Sequence, residues 1–127
     1  MNLDIPQTSS SPAIAADWAA GRVSIRGDSY PENSFDLYQP LIAWVESFLA
    51  EPERPLRLDI ELLYMNTSSV RVLMDILDLL ESAFQAGRAV SVLWCYDADN
   101  GRIAELAGEF KEDCTFPFDI RAKAAPV

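Results

Sequence analysis

The sequence contains no histidine among its 127 residues. Histidine is the commonest general base near neutral pH and the commonest zinc ligand, so its absence excludes Ser-His-Asp and Cys-His catalysis. Two cysteines occur, Cys95 and Cys114, and neither has a second cysteine at zinc-ligand spacing. We therefore interpret both as reduced, buried thiols of a cytoplasmic protein, and we expect no metal, cofactor or catalytic residue.

Basic residues are also scarce. Ten Lys and Arg residues stand against twenty Asp and Glu residues, which gives a formal net charge of −10. Nucleic-acid binding depends on basic side chains that neutralise phosphates, and an anionic membrane surface would repel so acidic a chain. No apolar run approaches the roughly 18 residues of a membrane-spanning helix, and no basic-then-apolar signal is present. A protein partner with a basic patch is the natural complement.

Length and pattern predict one α/β domain, since half of the residues are hydrophobic. We expect a flexible leader over residues 1–11, a single domain over 12–121 and a flexible tail over 122–127. The predicted order is β-β-α-β-α-β-α-β, a mixed sheet of about five strands that opens with a hairpin and has helices packed against it. The predicted strands lie near 13–18, 22–26, 56–64, 89–96 and 115–120, and the predicted helices near 35–49 or 40–49, 68–85 and 103–110.

One amide and three hydroxyl residues, Asn66-Thr67-Ser68-Ser69, stand where an apolar strand gives way to an apolar helix. All four suit an N-cap position, and the first helical turn directs backbone N–H groups and a positive dipole end at this point. The residues are therefore candidates for capping, for anion binding, or for addition and removal of a phosphate. Capping needs only one of them, so the role of the surplus hydroxyls stays open.

The helix after this turn carries more apolar surface than one packing contact needs. Its first stripe, sufficient to seat the helix on a sheet, comprises Val70, Leu73, Leu77, Leu80 and Phe84. Its second stripe comprises Val72, Ile76, Leu79 and Ala83. Two interpretations remain open: the helix is enclosed between the sheet and a neighbouring helix, or the second stripe is a docking face for a partner.

Acidic loops are the remaining candidates for a site. Residues 97–101 resemble a calcium loop superficially, but their glycine is at the fifth position and the distal glutamate is absent. Four acidic residues follow strands and could converge at one sheet edge, although solvation explains acidic loops without a metal; they are Asp28, Glu32, Asp97 and Asp99. Without histidine, a Walker lysine or a complete metal spacing, we do not expect an enzyme.

Four strings occur in a characteristic order along the chain. They are GDSYPEN at 27–33, LYMNTSS at 63–69, WCYD at 94–97 and KEDCTFPF at 111–118. In this order they resemble the SiaC family of bacterial regulators over nearly the whole chain. The resemblance implies a variant of the STAS-like fold of anti-sigma-factor antagonists, which agrees with the predicted order of elements. It also implies a non-enzymatic protein that is controlled by phosphorylation.

By resemblance, the unmodified form binds and activates a GGDEF-domain diguanylate cyclase and so affects c-di-GMP, aggregation and biofilm formation. A Ser/Thr kinase of the anti-sigma-factor type modifies the protein, and a PP2C-type phosphatase restores it. The modified residue falls on Thr67, with Ser68 as second choice. The expected partner-binding residues are Asn66, Thr67, Ser68 and Ser69 of the turn, Tyr30, Pro31, Glu32 and Asn33 of the earlier loop, and Val72, Ile76 and Leu79 of the second stripe. The alternative is an anti-sigma-factor antagonist that acts on transcription.

Overall fold

Nine helices and strands occupy most of residues 2–123, the part of the chain that the computed structural model describes. The strands are β1 (Leu3–Ile5), β2 (Ala13–Asp17), β3 (Arg22–Ser29), β4 (Leu56–Met65), β5 (Val90–Asp97) and β6 (Phe118–Lys123). The helices are α1 (Ser34–Ala50), α2 (Thr67–Gln85) and α3 (Gly101–Glu112). The predicted α/β fold with a mixed sheet is confirmed, with six strands in place of five.

The strand order in the sheet follows the order in the sequence, from β1 to β6. The first three strands pair antiparallel, whereas β3, β4, β5 and β6 pair parallel. A helix joins each parallel pair, and right-handed crossovers that all advance in one direction place their helices on the same face of the sheet. The described part of the chain therefore has two layers, and none of its helices lies over the second face of the sheet.

Alternation along the strands separates these two faces. In β4, Ile60 and Leu62 are buried under the helices, whereas Arg57 and Asp59 point to the helix-free face. Asp59 there makes an ion pair with Arg57 (2.8 Å) and another with Arg22 of the neighbouring β3 (2.7 Å). The hydrophobic core is thus on one side of the sheet, as strands of alternating polarity require.

Each helix begins directly after an asparagine, namely Asn33, Asn66 or Asn100. In each case the side-chain oxygen accepts a hydrogen bond from the backbone N–H three residues further on, at 3.1, 2.9 and 3.3 Å respectively. The caps satisfy donors that the first helical turn leaves without an intrahelical partner. They explain why all three helices start where they do at the carboxyl edge of the parallel strands.

The first two helices pack on each other as well as on the sheet. In α1 the buried positions recur at helical spacing, as with Tyr38, Leu41, Val45 and Phe48. This helix starts at Ser34 and includes Pro40, so it corresponds to the longer of the two predicted alternatives. Among residues 2–123, no helix is both long enough and apolar enough to cross a membrane.

Two arginines hold the opposite edge of the sheet, at the amino ends of the parallel strands. The guanidinium of Arg88, just after α2, donates to the backbone oxygens of Leu49 (2.7 Å), Glu51 (2.6 Å) and Arg54 (2.7 Å). Arg54 in turn donates to the backbone oxygen of Trp18 (2.6 Å). Arg88 thereby satisfies carbonyls at the end of α1, which a helix leaves open. We call this edge, defined by Arg54, Arg88 and the carbonyls they bind, the closed end.

The leader predicted over residues 1–11 contributes to the fold. Strand β1 pairs with β2, Ser11 is buried, and the Ser11 backbone N–H donates to the Thr8 hydroxyl (3.0 Å). The sheet has one strand more than the roughly five that were predicted, because a three-residue strand such as β1 is too short to show a periodic pattern. Strand β6 begins and ends about three residues later than predicted and includes residues 122–123. Met1 and residues 124–127 of the predicted tail lie outside the described residues.

Candidate functional site: the hydroxyl turn and its surroundings

The turn from Asn66 to Ser69 lies at the carboxyl edge of the parallel strands, which we call the open end. It consists of the loops after β3, β4 and β5 and the first turns of the three helices. Asn66 joins two of these loops, because its backbone N–H donates to Ser29 O (2.9 Å) and its Nδ2 donates to Pro31 O (3.2 Å). Ligand sites in open α/β sheets form at this edge.

The three hydroxyls of the turn are in different environments. Ser69 is fully buried. Ser68 is exposed, but its Oγ is 2.7 Å from Ser34 Oγ and donates to Asn66 Oδ1 at 3.2 Å. Thr67 is exposed, and its hydroxyl makes no hydrogen bond to any of residues 2–123. Of the three, Thr67 is the residue whose hydroxyl is both accessible and free.

A series of hydrogen-bonded hydroxyl groups connects the turn to β3 and α1. It runs from Tyr38 OH to Ser29 Oγ (2.7 Å), on to Ser69 Oγ (2.8 Å), Ser34 Oγ (3.0 Å) and Ser68 Oγ (2.7 Å). Burial raises the pKa of Tyr38 above its ordinary value, and the hydrogen bond to Ser29 offsets part of that rise. The phenol is therefore neutral over the physiological range. Buried hydroxyls that satisfy one another make a rigid support for the exposed Thr67.

A β-bulge changes which side chains of β4 reach the surface beside the turn. Gly27 of β3 pairs with Leu62, but the next residue of β3 pairs with Tyr64, so the register skips Leu63. The inward-outward alternation consequently shifts by one, and Met65 points inward while Leu63 and Tyr64 are 44% and 52% exposed. Bulges commonly redirect side chains next to functional sites.

These residues belong to a group of exposed apolar side chains at the open end. We call it the apolar patch, and its members are Tyr30, Phe35, Leu63 and Tyr64. The rings of Tyr30 and Tyr64 meet edge to face with centroids 5.8 Å apart, and the Tyr30 hydroxyl donates to Ser9 O (2.6 Å). Exposed apolar side chains that are close together, as Tyr30 and Tyr64 are, mark surfaces where another protein binds.

A cleft of about 480 Å³ opens beside the turn, between α2 and α3, and Leu63 and Tyr64 of the apolar patch line part of it. Thr67 and Val70 line it from α2, and Arg102 and Leu106 line it from α3. Leu63 contributes to its floor and also accepts a hydrogen bond from Asn100 Nδ2 at its backbone oxygen (3.1 Å). Thr67 thus lines a cleft that adjoins the apolar patch and contains a basic side chain.

The acidic loop residues do not form a comparable site. Within residues 2–123, no three histidine, cysteine, aspartate or glutamate side chains come together in a way that could hold a metal ion. Asp97 and Asp99 are exposed at the end of β5, and Asp28 is half-buried at the end of β3.

Comparison with known proteins identifies the family. A family model described as SiaC family regulatory phosphoprotein matches residues 5–123. The chain belongs to the SiaC family. An uncharacterized protein of Pseudomonas aeruginosa strain UCBPP-PA14 is 62% identical to it over 121 residues, which are 95% of this chain and 96% of that protein. The family predicted from the four sequence strings is therefore confirmed.

Solved structures of SiaC support the same conclusion. SiaC of Pseudomonas aeruginosa matches with a TM-score of 0.92 at 60% identity, over 97% of this chain and 99% of the other. A second structure contains the diguanylate cyclase SiaD in complex with its activator SiaC from Pseudomonas aeruginosa, and its matching chain has a TM-score of 0.93 at 62% identity. That match covers 95% of this chain and 99% of the other. Members of the SiaC family are regulatory phosphoproteins, and this chain has their fold.

The structure brings two groups of predicted partner-binding residues together in this SiaC-family chain. The turn from Asn66 to Ser69 adjoins the loop from Tyr30 to Asn33 through the hydrogen bond from Asn66 to Pro31 O. Tyr30, Glu32 and Asn33 are exposed, and Pro31 is half-buried. Which of these residues contact a partner stays a prediction.

The third group is different, because the second stripe of α2 does not form an outer face. Val72 and Ile76 are only 5% and 0% exposed, and Leu79 is half-buried against the core. The expectation that Val72 and Ile76 offer surface to a partner is wrong, because both side chains are buried in the core, where α1 packs beside α2. The alternative interpretation, a helix enclosed between the sheet and a neighbouring helix, describes α2 correctly.

Four exposed residues of the open end escape the sequence-based prediction: Phe35, Leu63, Tyr64 and Arg102. The first three are apolar, and a sequence-based prediction would place apolar residues in the core. Only Leu63 carries a usable signal, since the alternation of Leu58, Ile60 and Leu62 already predicts that the next residue points outward. Arg102 follows a cap and has no distinguishing pattern.

Proposed function

We propose that this protein is a cytoplasmic, non-enzymatic switch that binds and activates a diguanylate cyclase while Thr67 carries no phosphate. A Ser/Thr kinase phosphorylates Thr67 and thereby blocks the interaction, and a PP2C-type phosphatase reverses the block. The partner is inferred from the Pseudomonas aeruginosa relative, the activator of SiaD. The carrying observation is that the Thr67 hydroxyl is exposed and makes no hydrogen bond within residues 2–123.

The environment of the hydroxyls favours Thr67 over Ser68 as the acceptor. A kinase has to place the hydroxyl oxygen in line with the transferred phosphoryl group, and it can do so most easily with an oxygen that has no internal partner. Phosphorylation of Ser68 would instead disrupt its hydrogen bonds with Ser34 and Asn66. Ser69 is inaccessible in the folded protein.

A phosphate on Thr67 would oppose docking at the apolar patch. It adds about −1.5 to −2 charges at neutral pH. A partner that covers the patch would bury this dianion beside Tyr64 and Leu63, and an unpaired buried charge is costly. The fold itself tolerates the charge, because Thr67 is the first residue of α2 and the helix dipole favours negative charge there. The switch therefore acts on the contact and leaves the fold intact.

Binding and activation of purified SiaD from Pseudomonas aeruginosa test the proposal, after activation by the wild-type protein has been established. Thr67→Ala should activate the cyclase as the wild type does and should not be phosphorylated in cells. Thr67→Asp should bind at least about tenfold more weakly. The matched control is Ser68→Ala, which should still be phosphorylated. Undiminished binding of Thr67→Asp would contradict the blocking mechanism.

Site mapping by mass spectrometry on protein from its native cells, with and without phosphatase treatment, tests the acceptor directly. Phosphate on Thr67 is the expected result, and phosphate on Ser68 would contradict the assignment. Co-purification from the same cells separates the cyclase function from the alternative of an anti-sigma-factor antagonist, because the two functions require different partners. Recovery of an anti-sigma factor in place of a cyclase would favour the alternative.

A further inference from the structure

The cleft beside the turn contains a basic side chain opposite the proposed phosphoacceptor. Thr67 of α2 and Arg102 of α3 line the same space of about 480 Å³. Among residues 2–123, Arg102 is the one Lys or Arg side chain that lines this cleft. The cleft is open to solvent and large enough for a phosphate group attached to the Thr67 oxygen.

Arg102 is one of two arginines that have no partner within residues 2–123, and the other is Arg71. Five of the arginines in residues 2–123 make ion pairs or bind carbonyls at other places; they are Arg22, Arg26, Arg54, Arg57 and Arg88, and Arg121 pairs with Asp119. Arg102 makes no hydrogen bond or ion pair within the described residues. Carboxylates outnumber basic side chains two to one in this chain, so Arg102 does not lack a partner for want of carboxylates.

Two carboxylates share the cleft with this arginine. Glu105 and Glu109 lie one and two helical turns further along α3 and line the same space. They oppose the binding of a free anion. A phosphate on Thr67 is different, because its covalent attachment holds it at a high effective concentration in the cleft that Arg102 also lines, and this removes most of the entropy cost of association.

We propose that Arg102 binds the phosphate of phosphorylated Thr67 within the same molecule, so that phosphorylation links the first turns of α2 and α3 across the cleft. Arg102 acts here as a positioning residue. The guanidinium matches phosphate oxygens through paired N–H donors. This inference rests on the proposed phosphorylation of Thr67 and adds the residue that binds the phosphate.

Arg71 is the competing receptor. It lies four residues after Thr67 on the same helix, and helical side chains lean toward the N-terminus, so Arg71 can also reach back to Thr67. Arg71 makes no ion pair or hydrogen bond within residues 2–123 either. It does not line the cleft, however, so a phosphate held by Arg71 would leave α2 and α3 unlinked.

The test measures the second pKa of the phosphate by phosphorus NMR in protein that carries phosphothreonine at position 67, installed by codon expansion. A guanidinium that pairs with the dianion lowers this pKa below the ordinary value of about 6. Arg102→Gln should raise it by about half a unit or more, and Arg102→Lys should restore part of the decrease. Lys111→Gln at the far end of α3 is the matched control, because it removes the same charge without touching the cleft.

An equal effect of Arg102→Gln and Lys111→Gln would overturn the proposal, since only the net charge would then matter. The proposal would also be overturned if Arg71→Gln raised the second pKa of the phosphate and Arg102→Gln did not. Because the phosphothreonine is installed without a kinase, this result does not depend on whether Thr67 is modified in cells. Site mapping on native protein decides that separate question.

Discussion

The two ends of the sheet use arginine in opposite ways. At the closed end, Arg54 and Arg88 donate to backbone oxygens and join α1, α2 and the loop before β4. At the open end, Arg71 and Arg102 have no hydrogen bond or ion pair within residues 2–123. The same side chain thus stabilises the fold at one end and is left available at the other.

Apolar side chains divide in the same way. Trp18, Trp44 and Phe48 pack together at the closed end with ring centroids 5.3–5.6 Å apart. At the open end, Leu63 and Tyr64 remain about half exposed. The difference indicates that the closed end contributes mainly to stability and the open end mainly to binding, because exposed apolar surface and unpaired charges add little to folding. Substitutions that separate the free energy of unfolding from the affinity for a partner can test this division.

The largest expected effect is on stability at the closed end. Arg88→Met should lower the free energy of unfolding by about 3 kcal/mol, because it leaves three carbonyl groups without their charged donor. Arg102→Met at the open end is the matched control and should change stability by less than about 0.5 kcal/mol. Urea unfolding at constant pH measures both. Similar losses in the two variants would remove the contrast between the ends.

A somewhat smaller effect is expected on binding at the open end. Tyr64→Ser should weaken the affinity for the cyclase by roughly 10- to 30-fold, or about 1.4–2 kcal/mol, since tyrosine is enriched among the few interface residues that contribute most of the binding energy. Its free energy of unfolding should change little, because the side chain is already 52% exposed. Leu93→Ser on the helix-free face of the sheet serves as the control. If both variants bind SiaD equally well, the apolar patch is not the docking surface.

The sequence predicts the turn better than it predicts the patch. Asn66 and the following hydroxyl residues are recognisable in the sequence because they lie between two apolar runs and suit helix caps. The run before them forms the predicted strand, β4, and the run after them forms the predicted helix, α2. The exposure of Tyr64 depends on a bulge, which is a property of the pairing between β3 and β4. No periodicity within β4 alone contains that information.

The burial of the second stripe has a similar explanation. The pattern of α2 shows two apolar stripes but does not say whether both are covered; in the structure α1 packs against α2, and Val72 and Ile76 are buried. Strand β1 escapes prediction because its three residues are recognisable only through their pairing with β2. Local signals therefore predict caps, helices and long strands, whereas non-local contacts decide which surface a partner can reach.

A third prediction compares two caps within the open end. Asn66→Ala should reduce the free energy of unfolding by about 1–2 kcal/mol, because it removes the cap of α2 and the bond to Pro31 O. Asn33→Ala should cost less, since the Asn33 side chain is exposed and bonds only within its own first turn. Thermal unfolding of the two variants measures the difference. An equal or larger loss for Asn33→Ala would show that the joining of loops by Asn66 adds nothing to its cap.

The smallest expected effect concerns pH and the connection between α3 and β6. Glu81 of α2 accepts hydrogen bonds from the backbone N–H (2.7 Å) and the hydroxyl (2.6 Å) of Thr115. These bonds, with the backbone N–H contributing most, hold the pKa of Glu81 below its ordinary value of 4.5. A carboxyl group with a lowered pKa in the folded state stabilises the protein above its unfolded pKa and loses this contribution as the pH falls through its folded pKa.

The stability difference between the wild type and Glu81→Ala should therefore be constant at neutral pH and should narrow as the pH is lowered below 4.5. Unfolding by urea at a series of pH values measures this difference, and carboxyl NMR gives the pKa of Glu81 independently. A difference that widens in acid would mean that protonated Glu81 binds Thr115 more strongly than the carboxylate does. Because Glu81 is near the surface, Glu81→Ala should lower the free energy of unfolding by much less than Arg88→Met does.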